Sequence, residues 1–313
     1  TNVQFNMKKI TDYGKVFSTL VERTEDYICS NNLKCMVLGI SGGIDSTVVA
    51  AICHEVSRKT GIPLIGRSLP TTNNKTNEVS TADLVGKAFC TDYKVCPIDR
   101  FYHQFMIDIV HKETGSVRYK QNELTGGFTI DLEDCLKFQP PIANGNIQAR
   151  LRMIYLYNLA SIHKGLVMDT DNLTENNLGY FTIHGDVGDF NPIGGLWKTE
   201  VFELAEWYKD NYVQERIKDA NDYFESGGIK THGPVKFQVM MDDSIYKAIT
   251  ESLKLKPTAG LGITNNDLEE IGAESYDQVD DVLKVILAWK IITASSKYNF
   301  DNFIKSDFMS ELT

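Results

Sequence analysis

Two glycines, two serines and a carboxylate fall within the six residues Ser41 to Ser46, SGGIDS, directly after the apolar run CMVLGI (35–40). A glycine-rich turn between a strand and a helix gathers backbone N–H groups around one concave spot, and the helix end adds partial positive charge. Gly42 and Gly43 let backbone come close to an anion without a Cβ in the way, while Ser41, Ser46 and Thr47 add hydroxyl donors. Together with Gly39 at the end of the strand, these residues read as a phosphate cradle. Asp45 is the odd member: a carboxylate beside phosphates is repulsive unless a cation lies between, so it implies Mg²⁺. The plainer alternative is a tight turn followed by a helix capped by Ser41 or Asp45.

Two further stretches carry chemistry-bearing side chains. GNIQARLRMIYLYNLA (145–160) places Arg150 and Arg152 early in a helix with Tyr157 two turns on; a guanidinium there can fork onto phosphate or carboxylate, or simply be solvated. The loop 170–196 interleaves Asp171, Glu175, Asp186 and Asp189 with Gly179, Gly185, Gly188, Gly194 and Gly195, and Lys198 follows it. So many acids can be solvent-facing, but the glycines point to backbone wrapped closely around something.

The elements that must hold these residues are legible as strand–helix alternation. Apolar spacing from Ile10 to Val21 predicts a helix ending near SNN. Short apolar strands are expected at 35–40, 63–69, 93–98 and 165–169, and helices at 45–59, 76–90, after 98 to His111, at 146–163 and from Thr199. That order predicts an α/β fold, a doubly wound parallel sheet with helices on both faces; ligands in such sheets bind at the carboxyl ends of the strands. Residues near 112–141 and 209–245 lose the pattern and read as irregular insertions, and two helices close the chain. One domain over 1–313 is the simplest account.

Bulk properties narrow the partners. The 313 residues carry a net charge of −10, which argues against nucleic acid. No apolar run is long enough to span a bilayer, and no histidine pattern matches a zinc site. The six scattered cysteines include no C-x-x-C pair, as expected of reduced thiols in a cytoplasmic protein.

SGGIDS resembles the S-G-G-x-D-S loop of the ATP pyrophosphatase (PP-loop) enzymes, and four later stretches resemble one member, the NAD synthetase family: GNIQARLRM, TDNLTE with GYFTIHGD, PIGGLWK, and KPTAGLGITNNDLEEIGAESYDQVDDVL (256–283). The resemblance implies an adenine nucleotide alpha hydrolase-like fold and a carbon–nitrogen ligase. Its reaction turns deamido-NAD, ATP and ammonia into NAD, AMP and pyrophosphate through an adenylated intermediate. On matching positions it implies that Gly39, Ser41, Gly42, Gly43, Asp45, Ser46, Thr170, Lys198 and Thr258 bind ATP. Asp45, Glu175 and Thr258 lie at Mg²⁺, Asp45 and Lys198 are catalytic, and Arg150, Tyr157 and Asp186 face deamido-NAD. It also implies a homodimer with dinucleotide at the subunit interface. With 40 residues before Ser41, no glutaminase domain is expected, so free ammonia is the donor. Ile183 and His184 stand where the family pattern F-T-K-Y-G-D carries Lys and Tyr, and Asp169 ends a strand that usually ends in Gly; ESGGIKTHG (225–233) has the glycines of a mobile lid. A non-catalytic dinucleotide-binding homologue, or a PP-loop ATP pyrophosphatase acting on a different carboxylate or carbonyl, is the alternative.

Overall fold

A computed structural model describes residues 9–114, 119–121, 128–131, 137, 140–225, 234–256 and 267–294. Its centre is a parallel four-stranded sheet in the order β3-β2-β1-β6, formed by β1 (Met36–Gly39), β2 (Leu64–Ser68), β3 (Asp92–Val95) and β6 (Leu166–Val167). β1 and β2 are almost entirely buried, as parallel strands covered on both faces must be. Alternation sorts their side chains: Met36 and Leu38 enter a larger cluster on one face, Cys35 and Val37 a smaller one on the other.

The larger cluster is built against α1 (Tyr13–Ser30), α2 (Ile44–Thr60) and α3 (Thr76–Phe89). α1 starts where the Asp12 side chain accepts from Lys15 N at 2.8 Å, and it buries Phe17, Val21, Thr24 and Ile28 at three- and four-residue spacing. α2 stops at Gly61, whose φ of 74° gives the left-handed cap. On the opposite face lie α4 (Asp99–Thr114) and α5 (Pro141–His163), with Met153, Leu156 and Ala160 of α5 against Val37, Ile65 and Val167. α5 begins at Pro141, earlier than the expected Asn146, because proline suits the first helical position. Between α4 and α5, β4 (Tyr119–Gln121) and β5 (Phe128–Ile130) form an antiparallel pair separate from the main sheet.

After β6 come a short α6 (Leu173–Leu178) and α7 (Lys198–Trp207), the latter running directly into a π-helical turn (Tyr208–Val213), α8 (Gln214–Glu225) and α9 (Pro234–Lys254). This corrects the expectation of an irregular insertion near 209–245. Its described residues, 209–225 and 234–245, are helical, and α9 packs on α3, α8 and α2 while contributing Ile245, Ala248 and Ile249 to the main core. α10 (Asp267–Ile271) and α11 (Tyr276–Ala294) complete the described chain. The expected lid and Thr258 lie outside the described residues, apart from Glu225 at the end of α8. Among the described residues no helix is long and apolar enough to cross a membrane.

Candidate active site

The SGGIDS turn connects β1 to α2 at the carboxyl edge of the sheet. Gly42 has φ 86°, and a Cβ there would lie 2.7 Å from Ala82 N and 2.8 Å from Glu78 O, so the turn closes against α3 only with glycine. Gly43 is the N-cap of α2 and brings no side-chain cap, which leaves first-turn amides available to an external anion. The hydroxyls stiffen the turn: Gly43 N donates to Ser41 Oγ at 3.2 Å, Ser41 Oγ lies 3.0 Å from Ser46 Oγ, and the Ser46 and Thr47 hydroxyls both donate to Gly43 O. From α9, the fully buried Ser252 donates to Gly42 O at 2.8 Å and lies 2.9 Å from Thr47 Oγ1. A residue of α9, a helix the sequence reading did not place, therefore anchors the predicted cradle.

At the mouth of the turn, one buried ammonium joins two carboxylates. Lys198 Nζ lies 2.5 Å from Asp45 Oδ2 and 2.9 Å from Glu175 Oε1, and the lysine side chain is 2% exposed. Burial alone would strip the Lys198 proton, but the two carboxylates outweigh it and raise its pKa. Glu175 is raised too, first by burial and then by Asp45, with Lys198 opposing. Asn172 orients the pair: its Nδ2 donates to Asp45 Oδ1 at 2.8 Å, while its Oδ1 and N–H exchange hydrogen bonds with Glu175 in a capping box.

Behind this trio are more acids. Asp169 replaces the expected glycine and serves as a staple, accepting from Asp171 N at 2.8 Å and Gly188 N at 3.0 Å. A Cβ on Gly188 would sit 2.7 Å from Asp169 N, so this loop also needs its glycine. Asp171 is 8% exposed and its Oδ2 is buried without a hydrogen-bond partner. Burial, then Asp169, Asp186, Glu175 and Asp45, push its carboxyl up to about 8. Asp186 is pushed up to about 6, by burial first, against the lowering effect of the Thr182 amide.

A cavity of about 230 Å³ opens beside the turn, lined by Gly39, Ser41, Thr170 and Asp186 among the expected residues. Arg152, named with Arg150 as a candidate anion ligand, is also in its wall, but the sequence reading missed Arg67, Ser68, Leu69, Pro70, Asn74 and Glu78 after β2 begins and Met153 and Leu156 on α5. Arg152 donates from Nε to Leu69 O at 2.9 Å. Two residues apart on a helix means roughly opposite sides, and this signal could have separated Arg152 from Arg150. Arg150 and Tyr157 instead line an outer groove of about 790 Å³ with Ile154, Phe181, Ile183 and Val187; Arg150 Nε donates to Ile183 O and the Tyr157 hydroxyl to Val187 O. The three residues expected near deamido-NAD are thus divided between cavity and groove.

Among the described residues, no group of three His, Cys, Asp or Glu side chains is arranged to hold a metal unaided. Mg²⁺ asks for less: one or two carboxylates, with phosphate oxygens and water completing the shell. Asp45 and Glu175 converge on a single cationic atom, and the Asp171 Oδ2 beyond them is orphaned. The donor set fits such an ion.

The family model for NAD synthase matches residues 16–220. The chain is 31% identical over 265 residues to the NH(3)-dependent NAD(+) synthetase of Helicobacter pylori, covering 83% of this chain and 88% of that one. It is 28% identical over 275 residues to the glutamine-dependent NAD(+) synthetase of Thermotoga maritima, covering 87% of this chain and 42% of that longer one. Among solved structures, an NMN synthetase from Francisella tularensis superposes with a TM-score of 0.60 at 26% identity, covering 87% and 86% of the two chains. An NAD+ synthetase from Burkholderia pseudomallei shares the fold, with a TM-score of 0.56 at 19% identity over 91% and 90%.

Proposed function

Because the chain belongs to the NAD synthase family, whose reaction is ATP-dependent amidation of deamido-NAD, we propose that its SGGIDS turn and the Lys198–Asp45–Glu175 cluster carry that reaction with ammonia as nitrogen donor. The observation that carries the reading is the convergence of one buried ammonium and two carboxylates at the mouth of a glycine turn. Four segments supply it, and each matches a stretch of the family resemblance except Ser252 on α9.

The nicotinate carboxylate attacks the α-phosphate of ATP; a carboxylate–phosphorus bond forms and pyrophosphate leaves. Gly42, Gly43 and the first-turn amides of α2, with Ser41 and Ser46, receive the charge on the departing pyrophosphate. Lys198 neutralises charge growing at the α-phosphate. Ammonia then attacks the acyl carbon and AMP leaves with the bonding pair. Asp186, on the cavity wall, faces that second step, and Arg150 and Tyr157 hold the distal part of the dinucleotide in the outer groove. Asp45 and Glu175 would hold Mg²⁺ together with phosphate oxygens, the Thr258 hydroxyl nearby, and the ion when bound supplies charge neutralisation. A homodimer is supported by the apolar side chains left in solvent along α5, Ile142, Ile154 and Ile162, and by Ile183 in the loop after α6. A cytoplasmic setting is supported by the unpaired thiols of Cys29, Cys35, Cys53, Cys90 and Cys96.

A second reading concerns the acceptor. The Francisella protein carries the name NMN synthetase, and Ile183, 65% exposed, stands where the resemblance puts a lysine. The mononucleotide is therefore the competing acceptor. Pyrophosphate release is measured with ammonium and either deamido-NAD or nicotinate mononucleotide, then with each component withheld. Release that needs ammonium and deamido-NAD together is expected; a kcat/KM higher for the mononucleotide transfers the assignment to it. Lys198→Ala is expected to lose about 10²–10³-fold in kcat, the scale of removing one preorganised charge-stabilising donor, and Asp45→Asn to lose turnover as well. Wild-type rates in either folded variant overturn the roles assigned to these two side chains.

A further inference from the structure

We propose that Asp280, on α11, is a positioning residue that fixes Glu175 and Lys198 relative to each other; this rests on Lys198 acting in the ATP reaction. Those two side chains come from different helices, α6 and α7, joined by a long glycine-bearing loop. Something must hold the helices in register for one ammonium to meet two carboxylates.

Asp280 is completely buried. Its Oδ1 accepts from the Thr174 hydroxyl at 2.5 Å, and its Oδ2 accepts from Thr199 N at 3.0 Å and the Thr199 hydroxyl at 2.8 Å. Thr174 immediately precedes Glu175, and Thr199 immediately follows Lys198. The circuit closes because Thr174 Oγ1 also accepts from Lys198 N at 2.8 Å. With Trp197 N donating to Glu200 Oε2 at 2.9 Å, three successive amides at the start of α7 have fixed partners. Hydrogen bonds to an ionised acceptor are roughly twice as strong as neutral ones, and a carboxylate at a helix N-terminus is favoured by the helix dipole. Asp280 touches neither carboxylate of the cluster nor the Lys198 ammonium. It acts through the backbone on either side of them.

Misplacing a catalytic group by about 1 Å costs on the order of 10²-fold in rate. Asp280→Asn keeps the size but offers one acceptor oxygen fewer. Its kcat is expected to fall at least tenfold, with KM for ATP and for deamido-NAD each within about threefold of wild type. In a Lys198→Ala background the same change is expected to move the residual rate by less than twofold, since no ammonium remains to be placed. A purely structural role predicts equal fractional losses in both backgrounds, and that result overturns the proposal, as does a wild-type kcat in folded Asp280→Asn. If Asp280→Asn does not fold, Thr174→Val deletes the hydroxyl linking Asp280 to Lys198 N, leaves both bonds to Thr199, and is judged by the same two comparisons. Failure of the underlying reading shows separately, as wild-type turnover in Lys198→Ala alone.

Discussion

Burying a carboxylate among other carboxylates is costly, and this chain does so at Asp171. Its folded pKa of about 8 lies above the ordinary value of 3.8, so between these values the folded state binds more protons than the unfolded state. Stability therefore falls as pH rises through that window, by at most about 1.4 kcal/mol per pH unit for one group. Asp171→Asn is expected to remove this slope and to raise the melting temperature at pH 8 more than at pH 5, as read by thermal denaturation without nucleotide. An unchanged slope would mean that other groups carry the pH dependence. At this scale the sequence was informative where a residue type has few alternative uses. SGGIDS announces itself because Gly42 must be glycine at φ 86° and because an acid beside a phosphate cradle is unusual. Arg67 and Leu69 were not legible as cavity wall, since an arginine in a strand names no partner until Asp92 and the next strand are placed.

Among the elements, the parallel sheet was readable because buried strands are short, doubly apolar runs separated by helices. The π-helical turn, α8 and α9 were not, and the reason is geometric. The π-helical turn inserts an extra residue per turn, so buried Tyr208 and Val213 stand five apart and the 3.6-residue rhythm is lost at that point. α8 then presents a largely polar surface, which reads as loop. The consequence was functional, because the missed α9 carries Ser252. Ser252→Ala removes the donor to Gly42 O from a fully buried site, and a loss of about 1–3 kcal/mol is expected for the orphaned carbonyl. Urea denaturation measures it; a loss under about 0.3 kcal/mol, well below that range, would show that the turn holds its shape without α9. Asp280 was likewise present in a stretch that carried the family resemblance, but its role depends on contacts with α6 and α7 more than 80 positions away in sequence.

For the whole molecule, exposed Ile154 of α5 and Phe181, Ile183 and Val187 of the loop after α6 line the outer groove that holds Arg150 and Tyr157. A second copy covering this face would enclose the groove and complete it. Ile154→Glu, at a position 65% exposed, is expected to yield a folded monomer by sedimentation velocity, with KM for deamido-NAD raised at least tenfold and KM for ATP moved far less. A dimer that survives the change would place the contact elsewhere. The seated ammonium also bears on how metal and nucleotide would reach the proposed site. Lys198 is a tethered counter-ion already seated between Asp45 and Glu175, so a free divalent ion must compete with a cation that cannot diffuse away. Nucleotide phosphate would change that contest by offering the ammonium another anion and leaving Asp45 and Glu175 to hold the ion. On the proposed reading metal and nucleotide would enter as one unit, and idle binding of metal to the resting protein would be disfavoured by a side chain the chain carries itself.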